Sequence, residues 1–496
     1  MKVFIYSTHT LWPHHAETEL ELMQLHLDQG DTMYRFVCNG EMPVCDTNVH
    51  HRMYSCLKCI DKQKIGQGLL TGNENIIVNS IYSPDNYRKA SEIPFDFSDL
   101  KKFKETKIDS FDIGYAVSSS VISELRDPSP DIQKNLQLFR NYFYTSLAIY
   151  YSVNEHIRKY NPDVIYAFNG RVAHAKPVLR AAQKAGVECR IHERGCDIFH
   201  YGITVNTTPH DIDNFTVQMD KMWAKADPAE REKTGSSFYE ERVRGKEQAW
   251  VSFVKDQQSD LLPADWKNDR HNIAIFNTSE DEYESIGPEW KNELYETQAE
   301  GIEKLLISFA DKKDYHFYLR IHPNLRGLDN RQIRDAFALK KYPNITVIDA
   351  ESPVGTYNLM MKAEKTITFG SSAGIEAVYW GKVSILLGKS FYAYIEGAYK
   401  PANHNEAVEM IMSDLKPTVK TGALKYGYYL KNFGNKFVHY KPTGFLSGTF
   451  KNIDLDQVAS TKTKLFSKLY SLSIFNSLYS TMRKSAGFIQ RLLLKW

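Results

Sequence analysis

Lys2–Ser7 reads KVFIYS, residues 16–29 read AETELELMQLHLDQ, and residues 33–37 read MYRFV. The first run is too apolar for an exposed segment, which predicts a buried strand. In the second, Leu20, Met23 and Leu27 recur at helical spacing, and Gly30 and Asp31 stop the helix before the next apolar run. Strand and helix must bury their faces on one another, so the stretch is a β-α-β unit.

The same alternation continues outward. Asn161-Pro162-Asp163 is a turn signal, and Val164–Phe168 follows as a buried strand with Asn169-Gly170-Arg171 at its carboxyl end. Residues 173–185 supply a helix and residues 188–192 the next strand, ending in Glu193-Arg194-Gly195. Polar groups placed repeatedly at strand ends point to a ligand crevice in an open parallel sheet. The alternative is that they are loop residues closing helices. Residues 123–160 read as mainly helical, with Pro128 and Pro130 delaying the start. Beyond a polar stretch at 260–272, residues 272–276, 315–321, 345–348, 365–369 and 383–387 read as strands, with helical windows at 356–362, 373–380 and 405–412. The expected class is α/β, with two Rossmann-like domains. The expected boundaries are 1–260 with a Cys-rich insertion, 261–420, and a C-terminal helical extension over 421–496.

At 496 residues the chain exceeds one hydrophobic core. Lys and Arg number 62 against 60 Asp and Glu, and a formal charge of +2 gives no reason to expect a nucleic-acid partner. A hydrophobic share of 42% argues against wholesale disorder. No uninterrupted run of about 18 apolar residues appears, and the amino terminus lacks the marks of a signal peptide. Cytoplasmic residence is the expectation. Six cysteines fall at 38, 45, 56, 59, 189 and 196, without the even spacing of an extracellular framework. Cys56 and Cys59 have the separation common at tetrahedral zinc sites, and Cys38 and Cys45 could complete four ligands. Six residues separate that first pair, however, and cysteines are often plain core residues. No metal and no obligatory cofactor are expected.

The residues richest in chemistry lie in the second half. Arg320-Ile321-His322-Pro323-Asn324 stands just beyond a strand, and Gly370-Ser371-Ser372-Ala373-Gly374-Ile375-Glu376 crosses from strand into helix. A helix start has unpaired backbone donors, so Ser371, Ser372 and Gly374 can receive phosphate, and Glu376 could accept from a ribose hydroxyl. The competing reading is ordinary capping by Ser371 or Ser372. Asn277 and Thr278 form a second strand-to-helix donor loop. His322 can approach a phosphate chain or leaving group, with Arg320 offsetting negative charge; alternatively His322-Pro323 is a rigid turn. The absence of a Walker A sequence and of GxGxxG disfavours a P-loop hydrolase and a standard dinucleotide oxidoreductase. The combination favours a diphosphate ligand in the second domain.

RIHPN at 320–324 and GSSAGIEAVYWGK at 370–382 resemble the capsule and surface-polysaccharide biosynthesis glycosyltransferases of the GT-B architecture. The resemblance implies a nucleotide-sugar donor, with UDP, GDP or CMP left open, and a glycan or lipid-linked glycan acceptor. Ser371 and Ser372 would contact phosphate, Glu376 the nucleoside, and His322 the phosphate or the reacting centre. FNGR at 168–171 and HERG at 192–195 suit the acceptor side. The catalytic set is then Glu193 as general base, with Arg320 and His322 at the leaving group. Asp197 and His14 stand behind Glu193, whose alternative is an ion pair with Arg194 or Arg171. Competing functions are a sugar-nucleotide epimerase and a non-catalytic nucleotide- or glycan-binding assembly protein.

Residues 461–496 carry Lys462, Lys464, Lys468, Arg483, Lys484, Arg491 and Lys495 but no acid. Leu465, Leu469, Leu472, Phe475, Leu478 and Met482 recur at helical spacing. Such a segment can dock on an anionic membrane surface, here the inner face of the cell membrane. The alternative is a terminal helix packed on a domain or a partner.

Overall fold

The computed structural model describes residues 1–248, 254–461 and 463–465. In chain order the strands are β1 (Lys2–Ser7), β2 (Thr32–Val37), β3 (Ile76–Ser80), β4 (Val164–Phe168), β5 (Glu188–Arg194), β6 (His200–Val205) and β7 (His271–Phe276). β8 (Tyr315–Arg320), β9 (Ile345–Ile348), β10 (Lys365–Thr368) and β11 (Val383–Leu386) follow, then β12 (Asn435–Lys436), β13 (Tyr440–Gly444) and β14 (Ser447–Phe450). The chain divides into two units. The first holds Met1–Glu124, Pro130–Pro209 and the segment from Gly434 on; the second holds Leu125–Ser129 and His210–Phe433.

The first unit is built on a sheet of order β12-β6-β5-β4-β1-β2-β3. β1 to β5 pair in parallel, and β6 and β12 add antiparallel at one edge. The order reverses between β1 and β4, as in a doubly wound sheet. Its central strands β1, β2 and β4 are buried almost throughout, as strands packed on both faces must be. Phe4, Tyr6 and Phe36 are fully buried against helix Leu136–Tyr160, and the Tyr6 and Phe36 rings stack at 4.5 Å.

The first helix, His15–Leu27, departs from the one-sided pattern read in its sequence. Eleven of its 13 residues are buried, among them Glu17, Glu19 and Glu21. The cause is a segment more than 400 residues later in the chain. Tyr440, Phe450 and Leu455 join Leu20 and Met23 in one core cluster, so the helix is covered on its second side as well. Two of the buried acids are compensated directly by the returning segment and its neighbours. Glu21 accepts the backbone N–H groups of Val438, His439 and Tyr440 at 2.7, 2.8 and 3.0 Å. Glu17 meets the Lys62 ammonium at 2.8 Å, which also reaches Asp456 at 2.9 Å.

The second unit carries an all-parallel sheet of order β11-β10-β7-β8-β9, reversing between β7 and β10. Two doubly wound units bear out the expected α/β class. The domain limits require correction. The chain passes between units near 209/210 and again near 433/434, not at 260 and 420. Helices Ile212–Lys225 and Pro228–Val243 place Met219, Phe238 and Tyr239 in one core with Ala423 and Tyr426 of helix Thr421–Asn432, and that shared core decides their unit. The contact is close enough to need glycine: a Cβ at Gly235 would stand 2.5 Å from the Leu424 carbonyl oxygen. The expected helical extension is also corrected. Thr421–Asn432 is helical, but 435–450 forms β12 to β14 on the first unit. Most of the basic tail at 461–496 lies outside the described residues. No described helix is long and apolar enough to cross a membrane.

Candidate functional site

In a doubly wound sheet, the reversal point leaves a crevice at the carboxyl ends of the strands flanking it. A cavity of about 700 Å³, its open mouth included, occupies that place in the second unit. Asn277 reaches it from the end of β7, Arg320 and His322 from the end of β8, and Ser371, Ser372 and Glu376 from the β10-to-helix turn. Six of the nine residues singled out from the sequence therefore converge in one place.

Glu376 is buried and its carboxylate is fully engaged. One oxygen accepts from the Ser372 hydroxyl at 2.9 Å and pairs with the Arg242 guanidinium at 3.1 Å; the other accepts from the Tyr357 hydroxyl. The Arg242 guanidinium also donates to Ser372 Oγ at 3.3 Å. Glu376 thus positions a guanidinium and two hydroxyls around the cavity, where the sequence reading had it meeting a nucleoside. The Tyr357 phenol is pushed far above its usual range by burial and by the neighbouring Glu376 charge, so it remains a donor.

Arg320 is buried at 3% exposure. It donates to the carbonyl oxygens of Asp349 and of Ser352, the latter at 2.9 Å. Burial lowers it to about 10, so it stays a cation at neutral pH. His322 receives shape from the same strand end: its N–H donates to Asn277 Oδ1 at 2.8 Å, and its Nδ1 accepts from the Asn324 N–H at 3.2 Å. Burial, then the Arg320 charge, lowers the imidazole to about 4, which makes it neutral at pH 7.

Two predicted residues serve the scaffold. Thr278 donates its N–H to Gln298 Oε1 at 2.9 Å, and its hydroxyl accepts from Gln298 Nε2 at 2.6 Å. The backbone donor is thus taken, and Thr278 does not line the cavity. Gly374 also lies outside the lining; its missing Cβ makes room for the Tyr392 hydroxyl and for Thr368, whose Oγ1 would stand 2.7 Å away. Gly370, at φ +140°, is the residue that lets the turn form. Arg242 and Tyr357 were missed. They stand more than 100 and nearly 20 residues from Glu376 in sequence, and no local pattern marks either.

Glu193 lies in the first unit, at the end of β5, with its side chain 18% exposed. Its carboxylate accepts from Asn169 Nδ2 at 2.7 Å and from the Arg194 backbone N–H at 3.0 Å. The Arg194 guanidinium instead faces the Phe445 ring at 5.7 Å. The two reserve bases are engaged. His14 donates from Nε2 to the Gly444 carbonyl at 3.0 Å and is lowered to about 4, first by burial and then by Arg194. Asp197 accepts from His200 Nδ1 at 2.6 Å and from the Phe199 N–H at 2.8 Å.

The Cys-rich insertion is anchored at the reversal point of the first sheet by a group the sequence did not reveal. Asp46 accepts from His174 Nδ1 at 2.8 Å and from His9 Nε2 at 3.1 Å, and His174 Nε2 donates to the Val44 carbonyl at 3.0 Å. Burial alone would raise the Asp46 carboxyl; the two imidazoles outweigh it and hold it far below the usual range. Burial pushes the Cys45 and Cys56 thiols up to about 12. Among the described residues, the four insertion cysteines do not bring three ligand atoms to metal spacing.

The stretch that builds most of the cavity is also similar to a known family. Residues 291–406 match the family model of the capsule polysaccharide biosynthesis proteins. Arg320, His322, Ser371, Ser372 and Glu376 all fall within the match, as the resemblance of RIHPN and GSSAGIEAVYWGK implied; Arg242 and Asn277 precede it. No curated protein matches the chain in sequence. Among solved structures, the Thermosulfurimonas dismutans KpsC β-Kdo 2,4 transferase is 10% identical with a TM-score of 0.34, covering 54% of this chain and 80% of its own. The UDP-GlcNAc 2-epimerase of Neisseria meningitidis bound to UDP-GlcNAc is 12% identical with a TM-score of 0.27, covering 86% and 98%. The glycosyltransferase SnogD of Streptomyces nogalater is 10% identical with a TM-score of 0.21, covering 87% and 93%. Likenesses this remote carry no argument about activity.

Proposed function

We propose that the protein is a glycosyltransferase of capsule or surface-polysaccharide synthesis that holds a nucleotide-activated sugar in the second unit. One observation carries the reading. Both guanidinium groups lining the cavity, Arg320 and Arg242, keep a buried Nε–H with no hydrogen-bond partner among the described residues. A buried donor left unpaired costs about 1–3 kcal/mol, more when charged, so the cavity is built to receive an acceptor. Charge accounting gives the sign. Glu376 offsets Arg242, His322 is neutral, and Arg320 donates to two carbonyl oxygens with nearby Asp349 offsetting its charge in part, so the lining keeps a place for an anion beside the crevice. A phosphate-bearing ligand satisfies both donors and the charge.

During transfer, negative charge builds on the phosphate oxygens as the bond to the sugar breaks. Arg320 stabilises that charge, and the Ser371 hydroxyl supplies a further donor. Neutral His322, whose Nδ1 accepts from the Asn324 N–H, can donate from Nε2 to the leaving group. Glu193 is the proposed base that takes the proton of the acceptor hydroxyl. The acceptor is a surface glycan, lipid-linked or free, and the basic tail at 461–496 brings the protein to an anionic membrane surface.

The test is calorimetric titration of the full chain with UDP-, GDP- and CMP-sugars, followed by product analysis with and without a glycan acceptor. One donor class should bind, and Arg320→Lys, which keeps the charge but loses the guanidinium fork, should weaken it about 10-fold. Unchanged binding in Arg320→Lys would remove the guanidinium from the site. A rearranged sugar nucleotide formed without acceptor would establish the epimerase instead, and binding without turnover the assembly protein.

A further inference from the structure

The turn that joins β5 to β6 carries a group of side chains, the reserve base Asp197 among them, that the proposed transfer does not use. Cys196, Asp197 and His200 each offer one ligand atom, and those atoms lie within 4.8 Å of one another. Cys196 is buried, whereas Asp197 and His200 are partly exposed, at 44% and 26% of their side chains. Sulfur, carboxylate oxygen and imidazole nitrogen together form a borderline-soft donor set. We propose that Cys196, Asp197 and His200 form a zinc site on this turn.

The backbone holds the three ligands before any ion arrives. Gly195 donates its N–H to the His200 carbonyl at 2.9 Å, and a Cβ at Gly195 would stand 2.6 Å from His200 Cβ. The two ends of the turn are therefore pressed together, and only glycine permits it. Beyond the turn, Arg194 pairs with Tyr201 across β5 and β6, and β12 pairs Lys436 with His200 and Asn435 with Tyr201. Gly434, at φ +105°, brings the returning chain to 3.2 Å of Gly195 Cα, measured from where its Cβ would be. A ligand set clamped by a ladder on either side loses little entropy on binding.

Charge favours the same ion. A thiolate and a carboxylate balance Zn²⁺, with His200 bound through a neutral ring nitrogen. Binding releases the Cys196 thiol proton to solvent, and the His200 proton that now bridges to Asp197 moves to the ring nitrogen not bound to the ion. Three protein ligands leave one tetrahedral position, which water fills from the exposed side. Calcium and magnesium would reject the sulfur and the imidazole in favour of oxygen ligands.

The experiment uses the full chain, stripped with chelator and titrated with Zn²⁺ and, separately, with Co²⁺ as a spectroscopic probe. One equivalent of metal should bind, and Co²⁺ should show a thiolate-to-metal charge-transfer band. Cys196→Ser should abolish the band, while Cys56→Ser should leave it. Asp197→Asn, which keeps the turn's hydrogen-bond acceptor, should weaken zinc binding about 10-fold or more. It also covers the case in which Cys196→Ser fails to fold. No bound equivalent, or a band lost in Cys56→Ser and kept in Cys196→Ser, would overturn the assignment. Neither readout depends on the transferase reading.

Discussion

Arg320 and Glu376 were legible as site residues because strand-end and turn positions in an α/β chain face the crevice. Their roles were not. Whether Glu376 meets a ligand or a guanidinium depends on where Arg242 arrives, and Arg242 arrives from a helix more than 130 residues earlier. The same burial that assigns these roles makes stability depend on pH. His322 is lowered from 6.5 to about 4, so between those values the unfolded chain binds a proton that the folded chain does not. Stability therefore falls as pH drops through that window, by about 1.4 kcal/mol per pH unit for one such group. Glu280, beside the Asn277 loop, is raised by burial from 4.5 to about 7. There the folded chain binds the extra proton, and stability falls as pH rises from 4.5 to 7. The two slopes oppose each other. Urea unfolding from pH 4 to 8 should show Glu280→Gln gaining stability relative to the parent chain as pH rises. His322→Gln should show its relative gain as pH falls. Parallel curves for either variant would remove that group from the titration.

At the scale of elements, His15–Leu27 shows how a helix can be predicted correctly and still be misread. Its apolar spacing announces one buried side, yet three glutamates on it are buried too. Glu21 is the most demanding of them, because its carboxylate gathers three consecutive backbone donors of the returning segment. Hydrogen bonds to an ionised group are each worth about 1.5–3 kcal/mol, and an amide in the same place would turn an N–H toward an N–H. Glu21→Gln should therefore cost about 3 kcal/mol in urea unfolding. Amide exchange at 438–440 should quicken more than at β1. A loss of stability with unchanged exchange at those amides would place the cost in the helix itself. The glycines at 370 and 235 belong to this scale as well. One permits a positive φ at the lip of the cavity and the other a helix-to-helix contact, and neither purpose is visible in the identity of the residue.

For the whole molecule, the remaining prediction concerns the tail. Removing residues 461–496 should lower sedimentation with anionic vesicles and reduce transfer to a lipid-linked acceptor more than to a short soluble one, since surface attraction raises local acceptor concentration. Equal vesicle binding before and after removal would reject the membrane role, and parallel loss of stability and both activities would make the tail part of the fold. The sequence by itself determined the element types, because β1 and β4 are apolar runs, and β7 and β8 apolar-rich ones, that neither a loop nor a helix face could carry. It also determined that polar turns follow those strands, and hence where a ligand could approach. Only the tertiary structure decided the unit limits. Helices 212–225 and 228–243 have apolar faces that either unit could have buried, and the choice rests on Met219, Phe238 and Tyr239 finding Tyr426. It alone decided which polar groups pair within the protein and which stay open. Pairing is a matter of distances across the fold, and Thr278, satisfied by Gln298, looks no different in sequence from Asn277 beside it.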